Sequence, residues 1–392
     1  MTAPRLLAGP DPMHGPERFR DHVSRLGPLP RGGHALIETL VRTGITGRGG
    51  ADFPVGLKWR TVASARQGSA VVIVNGAEGE PHSKKDRHLM TSRPHLILDG
   101  AVLAAASVRA KQIVLYIGEA HHASLRSMSE AVAQRPENER QLMRIVRAPG
   151  RYVAGDSSAT VHLVETGIAT PTTTPPPTRE RGVDGAPTLV QNVETLAQVA
   201  LVARTGVATG TLLITVAGAV RAPGVFEVNS GTPLGEAVQL AGGGSSPTRA
   251  VLLGGYFGQW VEADTAAAAL PIDPHELRAR GLSLGCGVIG LLPASTCPVC
   301  EVAGIMRYLA SESSAQCGPC FFGLRALADA CTRIAERGTD PGDLQRLQRW
   351  SAEVHGRGAC KHPDGAVMFL RSAMKTFEDD FARHPAHQRR SA

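Results

Sequence analysis

Aromatic residues, long apolar runs and long runs of one charge are scarce in this chain of 392 residues. Aromatic residues make up only 4% of the sequence, which argues against a stacking surface for single-stranded nucleic acid. No apolar run reaches the roughly 18 residues that a membrane-spanning helix needs. Proline and charged residues between Met1 and Phe19 occupy the place of a signal peptide's apolar core. The sequence therefore predicts a soluble, cytoplasmic protein that binds no nucleic acid and spans no membrane.

Cysteine is absent from most of the chain, and all seven cysteines lie between Cys286 and Cys360. A secreted disulfide scaffold would distribute an even number of cysteines through a shorter chain. The uneven placement instead predicts one local site, built from thiols in a reducing compartment.

Short apolar strands alternate with helices in the N-terminal half. Strands are predicted at 70–74, 112–117 and 142–146, and helices at 34–41, 96–108, 122–133 and 190–203. This alternation favours a parallel sheet with helices on both faces. After Gly206 the pattern becomes β-grasp-like, with strands at 212–219, 224–228 and 250–253 and a helix at 233–240. From Glu301 onward the apolar spacing is helical.

A glycine-rich loop, Gly44 to Gly50, follows the first predicted helix and holds four glycines within seven residues. Such a loop exposes backbone N–H groups and lets a flat or anionic ligand approach closely. Nearby, Arg48 and Lys58 can neutralise a phosphate, and Phe53 can stack on a ring. The spacing matches neither the dinucleotide fingerprint nor a Walker loop. On chemistry alone, a ligand site and a simple tight turn remain equally open.

A polar, acid-rich segment, 75–87, follows the first predicted strand. It lies at the carboxyl end of a parallel strand, where open α/β sheets bind ligands. Asn75 could hydrogen-bond a flavin ring edge or a ribose, although a charged run of this kind is also typical of a solvated loop.

These two segments resemble the flavin-binding segments of the NADH-oxidising 51 kDa subunit of respiratory complex I and of its hydrogenase and formate-dehydrogenase relatives. Two further motifs follow in the order of that family, Tyr152-Val-Ala-Gly-Asp-Ser-Ser-Ala159 and Pro187-Thr-Leu-Val-Gln-Asn-Val-Glu-Thr-Leu196. The resemblance implies an oxidoreductase subunit that passes electrons from NADH, or another donor, through FMN to an iron–sulfur cluster. It also implies a ferredoxin-like or other electron-transfer subunit as the partner.

The resemblance implies four parts in an α/β + α chain. These are an N-terminal extension (1–33), a Rossmann-like α/β flavin domain (34–205), a β-grasp-like module of the SLBB type (206–275) and a helical iron–sulfur domain (276–392).

The resemblance also implies which residues hold FMN and NAD(H). They are Gly47, Arg48, Gly49, Gly50, Phe53, Lys58, Asn75, Glu78, Glu80, Gly155, Asp156, Gln191 and Asn192. Lys58 and Glu80 are the expected catalytic residues, because Glu80 stands at the position of an acid that contacts the nicotinamide half.

Three departures concern the NADH contacts. Thr61 and Pro177 stand where the family has aromatic residues, and Ser157 replaces the second acid of a Glu-Glu pair. Each lost ring costs roughly 1 kcal/mol or more of stacking. The sequence therefore predicts weak NADH oxidation.

The cysteine motif departs from the family at one position. Cys317, Cys320 and Cys360 match three of the four ligands that hold a [4Fe–4S] cluster in the family, and Ser314 replaces the first ligand. Because a cluster prefers four soft, anionic ligands, three outcomes are open: a serine-ligated [4Fe–4S] cluster, a [3Fe–4S] cluster, or no cluster.

A second pair, Cys297 and Cys300, has no counterpart in the family. Together with Cys317 and Cys320 it has the spacing of a zinc ribbon, and the alternative is a helix start that happens to hold two thiols. Two other functions therefore stay open. One is a flavin and iron–sulfur subunit that serves a ferredoxin-like partner after loss of the NADH site, and the other is a non-redox, zinc-binding assembly module.

Overall fold

The computed structural model describes residues 5–65, 69–173 and 176–386. The chain divides into two units. The first comprises Met1–Gly79, Ser83–Ile214 and Val225–Ser230, and the second comprises Glu80–His82, Thr215–Gly224 and Gly231–Ala392.

The helices and strands of the first part of the chain alternate. In chain order they are α1 (Phe19–Leu26), α2 (His34–Thr43), α3 (Val55–Ser64), β1 (Ala70–Gly76), α4 (Lys85–Ser92), α5 (Pro94–Val108), β2 (Ala110–Gly118), α6 (His122–Ala133), α7 (Glu137–Arg140), β3 (Met143–Ala148), α8 (Ser157–Thr166), β4 (Thr188–Asn192) and α9 (Val193–Thr205).

The first unit contains a four-stranded sheet in the order β3-β2-β1-β4, and every pairing in it is parallel. The central strands are almost entirely apolar and buried, as strands covered on both faces must be. Helices α5 and α9 pack together closely enough that a Cβ at Gly100 would lie 2.0 Å from the Leu196 carbonyl oxygen. The predicted parallel α/β arrangement is confirmed.

One strand of this sheet was not predicted. The sequence pattern predicts a helix over 190–203, but residues Thr188–Asn192 form β4 and the helix begins at Val193. The apolar run continues from strand to helix without a break, so periodicity alone does not show the boundary. The boundary is set by Asn192, whose side chain accepts a hydrogen bond from the Glu194 N–H and caps α9.

The rest of the chain begins with strands and ends with helices. Its elements are β5 (Thr211–Gly218), β6 (Gly224–Asn229), α10 (Leu234–Leu240), β7 (Thr248–Leu253), β8 (Gln259–Glu262), α11 (Thr265–Ala268), α12 (Pro274–Ala279), β9 (Val288–Pro293), α13 (Pro298–Ser311), α14 (Arg325–Arg337), α15 (Pro341–Val354), α16 (His362–Thr376) and α17 (Glu378–Arg383).

A mixed five-stranded sheet has the order β6-β5-β9-β7-β8. Within it β5 pairs with β9 in parallel, whereas β7 is antiparallel to both β8 and β9. The sequence predicted β5, β6, β7 and α10 but neither β8 nor β9. The C-terminal helices bury an apolar core that includes Leu309, Leu327 and Phe369, as expected from the helical spacing.

Within the described residues, no helix is both long enough and apolar enough to cross a membrane. The four-part division at residues 33, 205 and 275 stays a prediction.

Candidate functional site

An asparagine lies at or next to the carboxyl end of each of two neighbouring strands in the first unit. The parallel register pairs Asn75 at the end of β1 with Asn192 at the end of β4. The Asn75 Nδ2 donates to the Gly155 carbonyl at 2.8 Å, and the Asn192 Nδ2 donates to the Asp86 carboxylate at 2.6 Å. Both amides are thereby fixed at the carboxyl edge of the sheet, where parallel sheets bind ligands.

The glycine loop lies against the start of α9. The Gly47 N–H donates to the Phe53 carbonyl at 2.9 Å, which closes the loop, and the Arg48 N–H donates to the Thr195 hydroxyl at 2.9 Å. The predicted C-cap Gly44 adopts a left-handed backbone with φ of 66°, and Gly50 has φ of 100°. These two glycines are therefore required by the backbone.

Gly47 and Gly49 have no such requirement. Neither has a positive φ. A Cβ would come no closer than 3.6 Å to the Phe53 oxygen at Gly47, or 3.4 Å to the Asn192 Cβ at Gly49. Because these are ordinary contact distances, the protein itself would accept a side chain at both positions. Their backbone is therefore open to the close approach of a flat ligand, as a flavin site requires.

Four buried charged residues hold the loop, α4 and α9 together, and we call Arg48, Lys85, Asp86 and Glu194 the buried ion quartet. The Glu194 carboxylate lies 3.3 Å from Arg48 Nε and 2.8 Å from Lys85 Nζ. Lys85 Nζ also lies 2.6 Å from the Asp86 carboxylate. Within the quartet two cations face two anions, and Arg48 Nη1 also lies 3.8 Å from the buried carboxylate of Asp52. Pairing of this kind is the condition for burying charge at tolerable cost.

Two buried polar atoms beside the loop, Gln191 Oε1 and Arg48 Nη2, have no hydrogen-bond partner in the part of the chain that the structure describes. Buried polar groups are nearly always satisfied. Their positions, on the strand end next to Asn192 and in the glycine loop, are those expected to contact FMN. The donor and acceptor set therefore fits a bound polar ligand.

A cationic group also lies at this edge. Lys58, on α3, donates its Nζ to the Val190 carbonyl at 2.5 Å. Burial and the nearby Arg179 guanidinium lower the pKa of Lys58 to about 8. An anion placed here would relieve both effects, so the position suits the phosphate or an electron-rich edge of FMN.

Phe53 is the predicted stacking residue, and its side chain is 42% exposed. The Arg179 guanidinium carbon lies 5.6 Å from the centre of its ring, within the range of a cation–π contact. Sequence reasoning missed Arg179, which follows the Thr/Pro-rich run, and two arginines at Arg179 and Arg181 were the available signal. Thr61 donates its hydroxyl to Leu57 in its own helix and offers no stacking surface.

The acids expected to contact the cofactors have structural partners. Glu78 accepts hydrogen bonds from the N–H groups of Asp86 and Arg87 at 2.9 Å and caps α4. Asp156 caps α8 by accepting from the Ser158 N–H at 2.8 Å. These contacts favour a positioning role for both carboxylates.

Glu80 belongs to the second unit. Its carboxylate accepts a hydrogen bond from the Tyr256 N–H at 2.8 Å. Its role toward the nicotinamide stays a prediction.

A cavity of about 340 Å³ lies beside α8 in the first unit. Its polar lining includes His162, Glu165, Thr172 and Arg181. No sequence pattern signals this cavity, because its walls come from separate loop segments of mixed composition.

The cysteine motif surrounds Cys320, which is carried by a π-helical turn, Pro319–Leu324. Such turns are frequently found at functional sites. Burial and the neighbouring Cys317 and Cys360 raise the pKa of Cys320 to about 11, against a hydrogen bond to Ser313. The three predicted thiol ligands are thus close enough to influence one another. Bound iron, being cationic, would stabilise their thiolate forms. The serine in contact with Cys320 is Ser313, next to the predicted ligand Ser314.

The chain matches three family descriptions in order. These are the Nuo51 FMN-binding domain at residues 40–201, the SLBB domain at 213–255 and the NADH-ubiquinone oxidoreductase-F iron-sulfur binding region at 301–384. The predicted FMN-binding domain, SLBB-type module and iron–sulfur region are therefore confirmed.

Curated relatives match along nearly the whole chain. One of them, the F 2 subunit of the NADH-quinone oxidoreductase of Rhizobium meliloti (strain 1021), is 31% identical over 378 residues, which cover 90% of this chain and 89% of the relative. The F subunit of the NADH-quinone oxidoreductase of Mycobacterium tuberculosis (strain ATCC 25618 / H37Rv) is 27% identical over 400 residues. The match covers 94% of this chain and 88% of the relative.

A solved structure supports the fold. The crystal structure of an NAD⁺-reducing [NiFe]-hydrogenase in the air-oxidized state matches with a TM-score of 0.82 and 28% identity. The match covers 91% of this chain and 64% of the hydrogenase chain, so this chain spans less than two thirds of that neighbour.

Proposed function

The chain belongs to the family of NADH-quinone oxidoreductase F subunits, and from that membership we propose how its own residues serve electron transfer. Members of this family are oxidoreductase subunits with an FMN-binding domain and an iron–sulfur region. Bound FMN supplies the link between a donor of electron pairs and a one-electron cluster. The chain's contribution is to position both cofactors and to set their surroundings.

The single observation that carries the flavin assignment is the set of polar groups along the carboxyl edge of the first unit's sheet. Gly47 and Gly49 leave their backbone open without any internal need. The atoms Gln191 Oε1 and Arg48 Nη2 lack hydrogen-bond partners among the described residues, and Lys58 is a partly buried cation near a second cation, Arg179. Backbone N–H groups, an amide oxygen and a cation are together the set that a flavin and its phosphate require.

The residues divide into two roles in this proposal. Gly47, Gly49, Lys58 and Gln191 contact FMN. Lys85, Asp86, Glu194, Asn75 and Asn192 are positioning residues, because their hydrogen bonds run to other parts of the protein. Arg48 has both roles, since its Nε is held by Glu194 and its Nη2 remains for the ligand.

We propose that NADH is the electron donor and that this chain makes few contacts with the nucleotide. Relatives are named NADH-quinone oxidoreductase and NAD⁺-reducing hydrogenase, which supports this donor. Phe53 offers a ring already covered on one side by Arg179, whereas the remaining acid, Asp156, is engaged by α8. Weak nucleotide binding follows, as the sequence predicted.

For the cluster we propose Cys317, Cys320 and Cys360 as ligands, with Ser314 at the remaining iron. An oxygen ligand leaves that iron the most labile. The relatives are subunits of larger complexes, so electrons would leave this chain to another subunit. The requirement for reduced thiolates supports a location in the cytoplasm.

The test is cofactor content after purification without air. We expect flavin absorption, a broad iron–sulfur shoulder, and slow bleaching of the flavin by NADH. Cys320→Ala should lose iron and keep flavin, while the matched control Cys331→Ala, at a buried thiol of α14, keeps both. A chain with neither flavin nor iron would refute the proposal, and rapid bleaching at micromolar NADH would refute the reduced nucleotide site.

A further inference from the structure

Cys297, Cys300 and His384 form a tight group in the second unit that neither proposed cofactor uses. One ligand atom from each, two sulfurs and an imidazole nitrogen, lie within 4.8 Å of one another. Cys297 Sγ is 3.8 Å from His384 Nδ1. Tetrahedral zinc with bonds of about 2.0–2.3 Å places its ligand atoms roughly 3.3–3.8 Å apart. We propose that these three residues bind one zinc ion, independently of the flavin and the iron–sulfur cluster.

The cysteine pair stands at the start of α13, with one cysteine just before the helix and the other in its first turn. Cys297 is the N-cap residue, Pro298 follows at the first helical position, and the Cys300 N–H donates to Cys297 Sγ at 3.3 Å. Backbone N–H groups and the helix N-terminus both favour a negative sulfur. A cysteine pair separated by two residues at a helix start can thus present two sulfurs to the same ion.

His384 is held in place from three directions. Its N–H donates to the Thr339 hydroxyl at 3.0 Å, and its carbonyl accepts from the Thr339 N–H at 2.9 Å. On the ring, Nε2 lies 3.2 Å from the Ala335 carbonyl oxygen. A proton on Nε2 donates to that carbonyl, which leaves the Nδ1 lone pair facing Cys297. Metal-binding histidines are commonly oriented by such a second hydrogen bond.

The chemistry of the ligand set selects the ion. Two thiolates and one imidazole are soft or borderline ligands and favour zinc over magnesium or calcium. Three protein ligands leave the fourth tetrahedral position to water or to an added ligand. Cys297 stands at the start of α13 and His384 directly follows α17, 87 residues later. A zinc ion bound to both would therefore link these two segments.

This grouping differs from the four-cysteine zinc ribbon that the spacing allowed. Cys300 lies near the start of α13, and the helix continues to Ser311. Eleven helical residues advance about 16 Å, which carries the chain away from the first pair before Cys317. Histidine from the distant C-terminal segment takes the place of the second cysteine pair, and no sequence spacing signalled it.

The test is metal analysis of the full-length protein purified without air. We expect about one zinc per chain. Cys300→Ser and His384→Gln should lose the zinc but keep the iron, whereas Cys320→Ala should lose the iron but keep the zinc. Cys286→Ser, at a cysteine outside both sites, should keep both metals. Retained iron in the first two variants also reports that the C-terminal helices remain folded.

Cobalt(II) gives a second measurement that does not depend on a variant. Exchanged into the iron-loaded wild-type protein, it should show the thiolate-to-cobalt charge-transfer band and the visible bands of a tetrahedral site. His384→Cys should keep the ion and strengthen the charge-transfer band. The proposal is overturned if wild-type protein binds neither zinc nor cobalt, if zinc is unchanged in Cys300→Ser and His384→Gln, or if Cys297 and Cys300 are found as a disulfide.

Discussion

Flavin binding should depend on pH through Lys58. Burial and Arg179 hold the pKa of this ammonium at about 8 in the flavin-free protein. A bound anion favours the charged form, so binding raises this pKa. The contribution of Lys58 to affinity is therefore complete below pH 8 and is lost as the pH rises through the pKa of the complex.

The expected size follows from the fraction of charged lysine. With a pKa of about 8 in the free protein and a lysine that stays charged in the complex over this range, the dissociation constant for FMN should rise about tenfold from pH 7 to pH 9. The phosphate of FMN does not contribute, because its second pKa of about 6 lies below this window. Quenching of flavin fluorescence, measured by titrating flavin-free protein with FMN, gives the constant at each pH.

Lys58→Met should weaken binding at pH 7 by at least about tenfold, the size of one lost charge-assisted hydrogen bond, and should flatten the pH profile. Lys58→Glu should abolish flavin retention. Lys111→Met, at an exposed lysine of β2 in the same unit, is the matched control and should behave like wild type. A flat wild-type profile, or undiminished flavin in Lys58→Glu, would place the flavin elsewhere.

Three further predictions follow from the same structure. Gly49→Ala should leave the melting temperature unchanged, because its Cβ has room, yet lower FMN affinity; equal losses of both would show that the glycine serves packing. Ser314→Cys should stabilise a [4Fe–4S] cluster against oxidation, whereas wild type should give a three-iron signal in electron paramagnetic resonance; identical spectra would exclude Ser314 from the site. Burial opposes ionisation of Glu17 and Asp99, but hydrogen bonds from His22 and the charges of arginine neighbours outweigh it and lower both pKa values to about 2. These carboxylates should therefore stabilise the protein above about pH 4.5 and lose about 2 kcal/mol or more each as the pH falls toward 2, measured by urea unfolding; a stability independent of pH in this window would contradict the shifts.

Much of the fold could be predicted because its signals are local. The buried strands at 70–74 and 112–117 are apolar runs bounded by polar residues, and α2 ends at Gly44 as its sequence indicates. Strands β4, β8 and β9 were missed for different reasons. β4 runs directly into a helix of similar composition. β8 is only four residues long and pairs with the neighbouring β7 as a hairpin, whereas β9 pairs with β5, which lies about 70 residues earlier in the chain.

The site residues likewise divide into those that local motifs predict and those that only the folded chain brings together. Motif order placed the glycine loop, Asn75 and Asn192, and the parallel register then brought the two asparagines together. Arg179 beside Phe53 could not be read from spacing, since a loop conformation decides that contact. Nor could His384, because it reaches Cys297 across 87 residues.

The buried ion quartet has a consequence for how this chain can diverge. Lys85 and Glu194 each pair with two other members, so removing either one leaves a buried charge without its partner and costs about 3–5 kcal/mol, a large part of a domain's total stability. Single substitutions at these two positions are thus strongly disfavoured compared with changes in compensating pairs. Residues around the site that are not fully buried, such as Thr61, take no part in this ion network, so each of them can be substituted singly. Relatives that use a different electron donor should therefore differ first at exposed residues around the flavin site and retain the buried ion quartet.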